Sequence, residues 1–591
     1  MKNFVKMTLA TLAGLVIFSV VAFFLSFAVI GAVAALGDKQ PVMPREAMLK
    51  IDMSTFTLSE QNTEANPIDM IMGGGSTVES LGIYNAINAI NMAAYDPAIK
   101  FIYLKPDGAS GGTAQFEEFR KALENFRKSG KAIVAYTENP DNAGYYLASV
   151  SDKIFMTPHD GAMNMFTGMS SQLIFLKDIL DKLGVNIQLI RHGKYKSAGE
   201  MFIRNSSSKE NLEQNVAMVE SLWNSWATKI AESREISVDE LNATIDNLEL
   251  VLSSDWVENG LVDELLTLNQ LEEKLCDLYV AKNIKDVNSI SLYDYATLKN
   301  TVNFKAKGKL AVIYAAGEIV DGSQKTEVAG NRFAQIISDV RKDSTIKAVV
   351  LRVNSPGGSV LASEKIKSEL DLLQKAKPVI ASYGDYAASG GYWISANCDK
   401  IYSNESTLTG SIGVFSVIPD FGGAIKDKLH VTVTSVNSNK HGDMYSGMRA
   451  LTKAELDYMQ ASVENIYDKF TKLVSVGRDM PVARVDEIAQ GRVWSGADAI
   501  GIGLVDEIGT IEDAINYAVL SIDGATSVKD VQIVEYPKPM TTMETILESL
   551  GGDTNALAGT PFESIGEAFK DICKEDFGKV YARMPQVITV Q

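Results

Sequence analysis

The 591-residue chain is poor in the residues that build metal and disulfide sites. Its three cysteines, Cys276, Cys398 and Cys573, are widely separated and odd in number, so they make neither a disulfide framework nor a thiolate cluster. The four histidines, His159, His192, His430 and His441, include no pair at metal-binding helical spacing. Positive charge is also scarce: 56 Lys and Arg stand against 74 Asp and Glu, a formal net charge of −18. That balance argues against nucleic acid or an anionic lipid surface as the main partner. Gly73-Gly-Gly-Ser-Thr77 lacks the lysine and spacing of a phosphate loop and reads as a surface segment. Neither a metal nor a nucleotide cofactor is therefore expected. A single ordinary core is excluded by length, which calls for at least two large domains.

One long uncharged run is present. Lys2 and Lys6 precede Met7–Gly37, a stretch without a charged residue and rich in Leu, Val, Phe and Ala. About 20 apolar residues cross a bilayer. Ala32-Val-Ala34 resembles a signal-peptide cleavage site, but the apolar part of a signal peptide usually covers only about 7–15 residues. Residues 1–40 are therefore expected to be an uncleaved anchor, with the N-terminus inside the cell and the rest outside.

Strand-like and helix-like runs alternate after the anchor. Ala98–Leu104 reads as a buried strand, Gln115–Ser129 as a helix with Phe116, Phe119, Leu123 and Phe126 on one face, and Ala132–Tyr136 as the next strand. This βαβ alternation predicts a parallel, helix-covered sheet in an α/β fold. The pattern then repeats at an offset of 247 residues. Thr345–Leu351 echoes Ala98–Leu104, Tyr383 echoes Tyr136, Gly391-Tyr392 echoes Gly144-Tyr145, and Asp399-Lys-Ile401 echoes Asp152-Lys-Ile154. The chain thus reads as two tandem α/β repeats, over 45–300 and 301–540, with a tail at 541–591. The boundary falls in the lysine-rich stretch Asn300–Lys309, before the strand Lys309–Tyr314.

The copies differ where chemistry is to be sought. In Asp385-Tyr-Ala-Ala-Ser389-Gly-Gly391, a strand Pro378–Tyr383 passes into an apolar helix, which puts Ser389 on the helix's first turn with its hydroxyl uncovered. The first copy has Asn142 there, and Asn164 where the second has Ser411 of Thr409-Gly-Ser-Ile-Gly413. Asn354-Ser-Pro-Gly357-Gly358-Ser359 follows the strand Ala348–Val353; its amides suit an oxyanion, and a plain turn with Ser359 as helix cap is the competing reading. In a parallel sheet both loops lie at one C-terminal edge. A nucleophilic serine needs a base. His430 and His441 sit in no recognisable motif, whereas Lys196, in Tyr195-Lys-Ser-Ala-Gly199 after the strand Val185–Ile190, can serve if burial keeps it neutral. A solvated surface lysine is the bland alternative. Around the matching stretch of the second copy, Asn439–Asp443, the Lys-Ser-Ala pattern is missing, so the halves look complementary. Gly108-Ala-Ser110-Gly-Gly112 matches a hydrolase elbow only formally, since it aligns with the oxyanion loop rather than a nucleophile position.

Taken together, Asn354–Ser359, Ala387-Ala-Ser-Gly-Gly-Tyr392, Thr409–Gly413, Tyr195–Ala198, the anchor and the tandem repeat resemble the signal peptide peptidase A (protease IV) family in its long bacterial form. The glycine loop also resembles one in the proteolytic subunit of Clp protease, which shares the broader crotonase-like fold. The resemblance implies Ser389 as nucleophile, Lys196 as general base, Ser411 as the lysine's hydrogen-bond partner, and Gly357 and Gly358 as oxyanion donors. It further implies a homotetrameric chamber held at the outer face of the cytoplasmic membrane, acting on cleaved signal peptides and other unfolded segments. Val360, Leu361 and Val414 would favour apolar substrate side chains. A crotonase-like acyl-CoA hydratase or thioesterase, and a non-enzymatic membrane scaffold, are the alternatives.

Overall fold

A computed structural model describes residues 6, 14, 17, 18, 41–62, 79–161, 164–299, 303, 305–538 and 579–584. The expected anchor, the segment Gly73–Thr77 and most of the expected tail lie outside the described residues. Among the described residues no helix is long and apolar enough to cross a membrane.

Two parallel sheets follow the same strand order. The first runs Glu264–Leu265, Lys153–Met156, Ile133–Thr137, Ile99–Lys105, Ala47–Asp52, Ser289–Ser291. The second runs Glu507–Ile508, Lys400–Ser403, Val379–Ala388, Ile346–Ser355, Lys309–Ala316, Gln532–Tyr536. Their central strands are almost continuously apolar, as sheets covered on both faces require. The expected helix over Gln115–Ser129 forms as Thr113–Lys128.

Two features of the second sheet depart from expectation. The strand expected to stop at Tyr383 continues to Ala388, because its far half finds a second partner, Leu408–Gly410. Its counterpart Ile133–Thr137 has 5 residues against 10. The glycine loop is likewise more than a turn: Gly357–Ser359 is itself a strand, in a third sheet ordered Val328–Ala329, Ile319–Val320, Gly357–Ser359, Tyr581–Arg583, Val414–Asp420, Asn186–His192.

The two halves share one core. A continuous cluster includes Phe116, Trp226 and Trp256 from the first half and Tyr314, Val350, Ile380 and Ile515 from the second. At its polar centre lies Arg352, an arginine in an otherwise apolar strand and fully buried. Its Nε donates to Glu60 Oε2 at 2.6 Å, and Nη1 and Nη2 donate to the two oxygens of Glu118 at 2.9 and 3.1 Å. Glu118 also accepts from Asn404 Nδ2 and from the Ile511 amide, so the first half is bound to three elements of the second. Removing one member of a buried charge set strands the others in an apolar medium, at a cost of about 3–5 kcal/mol. Arg352→Ala should therefore lower the urea midpoint strongly, while Lys453→Ala, which breaks the exposed Lys453–Asp457 pair, should leave it unchanged.

Candidate active site

Ser389 sits between the end of the strand Val379–Ala388 and the helix Gly390–Ser395, as the helix N-cap rather than on its first turn. Its backbone is at φ 55° and ψ −111°, a left-handed conformation unusual for serine. Two hydrogen bonds hold it there: its N–H donates to Gly410 O, and its carbonyl accepts from Trp393 N–H, both at 2.8 Å. The strand's extension thus carries the serine to the site, and Leu408–Gly410 fixes the bend.

Lys196 arrives from the other half. The strand Asn186–His192 pairs antiparallel with Val414–Asp420 along its whole length, from Asn186 opposite Asp420 to His192 opposite Val414. One ladder therefore links the residues just before Lys196 to those just after Ser411. The turn between is clamped by Arg191 Nη1, which donates to Lys196 O at 2.8 Å, and by Gln214 Nε2, which donates to Tyr195 O and Ser197 Oγ at 3.1 and 2.9 Å. Gly491 packs against the lysine so closely that a Cβ there would fall 2.6 Å from both Lys196 Cβ and Lys196 N.

The surface-lysine alternative fails: Lys196 is 0% exposed. Its Nζ lies 2.8 Å from Ser389 Oγ, 3.0 Å from Ser411 O and 3.0 Å from Ser411 Oγ. Burial, with no compensating charge, holds its pKa well below the ordinary lysine value. A neutral amine has two N–H donors and one lone pair. With both donors engaged by Ser411, the lone pair is left for the Ser389 hydroxyl proton.

Gly357 and Gly358 lie beside the serine with φ of 98° and 152°. A Cβ on Gly357 would fall 2.6 Å from Gly390 N, so the glycine loop and the amide following the serine close on one another. Ser359 also caps the next helix, accepting from Ala362 N–H, so the capping reading holds alongside the strand. Val360 and Val414 are buried, whereas Leu361 is exposed. The histidine alternatives lie elsewhere: His430 is exposed, and His441 pairs with Glu455 at 2.8 Å.

In the first half the corresponding positions are structural. Asn142 donates to Gly168 O and accepts from the Thr167 and Gly168 amides, and Asn164 donates to Leu250 O. The turn at Gly112, counterpart of the oxyanion loop, receives the buried Asp385 carboxylate through Ala114 N–H at 2.9 Å. Asn354 joins this contact to the site, donating to Asp385 Oδ2 and Glu60 Oε1 and accepting from Tyr386 N–H. Sequence reasoning missed this network and Gln214. The available signal was Arg352, a lone charge within an apolar strand.

A serine at a bent strand end, served by an amine in place of an imidazole, defines a serine hydrolase of the nucleophilic class. Comparison with known proteins narrows the class. The chain belongs to peptidase family S49, whose description matches residues 125–282 and 371–521, once in each half. It is 34% identical over 496 residues to "Protease 4" of Haemophilus influenzae, covering 82% of this chain and 80% of that protein. It is 36% identical over 486 residues to "Protease 4" of Salmonella typhi, covering 80% and 77%. It is 33% identical over 473 residues to "Serine protease SPPA, chloroplastic" of Arabidopsis thaliana, covering 78% and 68%. The chain is thus a serine peptidase of the long, two-repeat type, which sets aside the acyl-CoA enzyme and the scaffold.

Gly491 is at φ 81°, so both its backbone and its contact with Lys196 resist a side chain. Gly491→Ala should lower kcat at least about tenfold by displacing the lysine. The thermal midpoint, measured alongside, should fall by only a few degrees.

Proposed function

We propose that the chain is a membrane-anchored serine endopeptidase with a Ser389–Lys196 dyad. It degrades cleaved signal peptides and other unfolded apolar segments at the outer face of the cytoplasmic membrane. The observation that carries the chemistry is the 2.8 Å approach of a buried, uncharged lysine to the serine hydroxyl. Lys196 takes the proton of Ser389 as Oγ attacks the peptide carbonyl. Charge on the carbonyl oxygen is met by amides of the glycine loop at Gly357 and Gly358. The lysine then gives its proton to the leaving amine, and the acyl-serine remains. Lys196 next accepts a proton from water, whose oxygen releases the acyl group and restores Ser389. Ser411 keeps the amine aimed throughout.

The anchor reading is supported by the uncharged run Met7–Gly37. Self-association, as a homotetramer, is supported by Leu429, Val431, Val433 and Val436, which stand exposed within one short stretch. Removing residues 1–40 should move the protein from the membrane to the soluble fraction while peptide hydrolysis persists.

Ser389→Ala and Lys196→Ala should each lower kcat by at least about a thousandfold, with the assembly and thermal midpoint retained. Full activity in Lys196→Ala would reassign the base. In the wild type, kcat should fall as pH drops through the depressed lysine pKa, because protonation removes the lone pair. The unfolded chain binds a proton on this lysine at pH values where the folded chain does not. Stability should therefore rise with pH by about 1.4 kcal/mol per unit between the folded pKa and the ordinary lysine value. Lys196→Met should abolish that slope, as measured by urea unfolding across the same pH range.

A further inference from the structure

The C-terminal piece of chain at residues 579–584 lies inside the site. Tyr581–Arg583 runs antiparallel to Gly357–Ser359, with Gly357 opposite Arg583, Gly358 opposite Ala582 and Ser359 opposite Tyr581. On its other side it runs antiparallel to Val414–Asp420, with Phe415 opposite Tyr581. These are the oxyanion strand and the strand that follows the lysine's serine partner. Met584 N–H donates to Pro356 O at 2.8 Å, Val360 N–H donates to Val580 O at 3.4 Å, and Ser416 Oγ donates to Lys579 O at 2.8 Å.

Side chains alternate as in any strand. Ala582 and Met584 point inward, 0% and 4% exposed. Met584 fills an apolar pocket built by both halves, with Met218 and Leu222 from one and Ala388, Leu408 and Val493 from the other. The Ala582 carbonyl oxygen sits over the glycine loop, where a Cβ on Gly357 would meet it at 2.2 Å and one on Gly390 at 3.1 Å. Tyr581 and Arg583 point the other way, Tyr581 towards the Phe415 ring with centroids 6.1 Å apart and Arg583 towards Glu318 at 3.6 Å.

Gly357–Ser359 is anchored through its other edge to Ile319, and Val414–Asp420 through its other edge to Asn186–His192. The inner edges therefore face each other across a slot one strand wide, held open without help from the C-terminal strand. Such paired edges take an extended peptide by main-chain hydrogen bonds and sort it by alternate side chains.

We propose that Lys579–Met584 is a tethered competitor: it fills the groove in which substrate binds as an extended strand, and substrate must displace it. The inference rests on the peptidase reading above. The ligand class follows from the register: a peptide with a small residue where Ala582 lies, an apolar unbranched residue where Met584 lies, and a tolerated polar residue between. Because the segment is on the same chain, its effective concentration is high, of order millimolar for a flexible tether. Each substrate therefore meets an occupied site.

The test compares three proteins on an internally quenched apolar peptide: the full chain, a chain ending at residue 578, and the full chain carrying Met584→Asp. The truncated chain should show a KM about tenfold lower with kcat within about twofold, and Met584→Asp a smaller shift in the same direction. The free peptide Lys-Val-Tyr-Ala-Arg-Met should inhibit the truncated chain competitively and bring its KM back up. An unchanged or higher KM in both variants overturns the proposal. So does a loss of thermal stability together with activity in both, which would make the strand a fixed part of the sheet. Binding of the labelled hexapeptide to the truncated chain with Ser389→Ala, read by fluorescence anisotropy, separates the two ideas. Binding there supports the groove even if Ser389 proves not to be the nucleophile, and no binding overturns it.

Discussion

The site depends on keeping one amine uncharged. A lysine in water is protonated near neutral pH and has no lone pair to offer. Only a desolvated lysine can act as a base, and desolvation by full burial shifts such groups by several pH units. Here that is done without a neighbouring charge: the amine meets a serine carbonyl, two serine hydroxyls and the close backbone of Gly491. A carboxylate at the same distance would restore the proton and silence the base. The surrounding architecture follows from this requirement. The ladder between Asn186–His192 and Val414–Asp420 delivers the lysine, Arg191 and Gln214 fix its backbone, and the second half supplies the walls.

Duplication has been resolved into a division of labour. The two sheets keep one strand order, so the copies are still superposable in topology. At the loop ends they have parted. Hydroxyls occupy the working positions of the second copy, and amides occupy their counterparts in the first, where Asn142 and Asn164 each tie down backbone that would otherwise need other partners. An amide both donates and accepts, which suits it to stapling a loop and unsuits it to nucleophilic attack. Even the first copy's glycine turn has kept an anion at its helix start, now the Asp385 carboxylate of the second copy. A retired catalytic position has become an interface contact.

Much of this was legible because it rests on local rules. The buried strands, the helix Thr113–Lys128, the repeat and the glycine-flanked Ser389 all follow from periodicity and from residues with few conformational roles. The union of Lys196 with Ser389 is a long-range fact, since 193 residues separate them. It was suggested by what the second copy lacked and by family resemblance, and nothing in local pattern dictates it. The extension of Val379–Ala388, the strand at Gly357–Ser359 and the seat of Tyr581–Arg583 depend on pairing partners far along the chain, which periodicity does not carry. Arg352 was visible as an anomaly, but its partners Glu60 and Glu118 belong to the other half and bear no mark in sequence.

The position of Gly491 and its neighbours has a consequence for timing. Ser411 N–H donates to Arg492 O, Leu408–Gly410 pairs with Val493–Ser495, and Gly491 closes the wall behind Lys196. Synthesis runs from the N-terminus, and domains fold as their residues emerge. The lysine is made early and the serine later, but the wall that desolvates the amine comes later still, some hundred residues beyond the nucleophile. Until then the amine is wet and protonated. A ribosome-bound chain therefore carries both reactive groups without possessing a working enzyme. Competence appears only as the last part of the second sheet is completed, which keeps a degradative activity silent for most of its own manufacture.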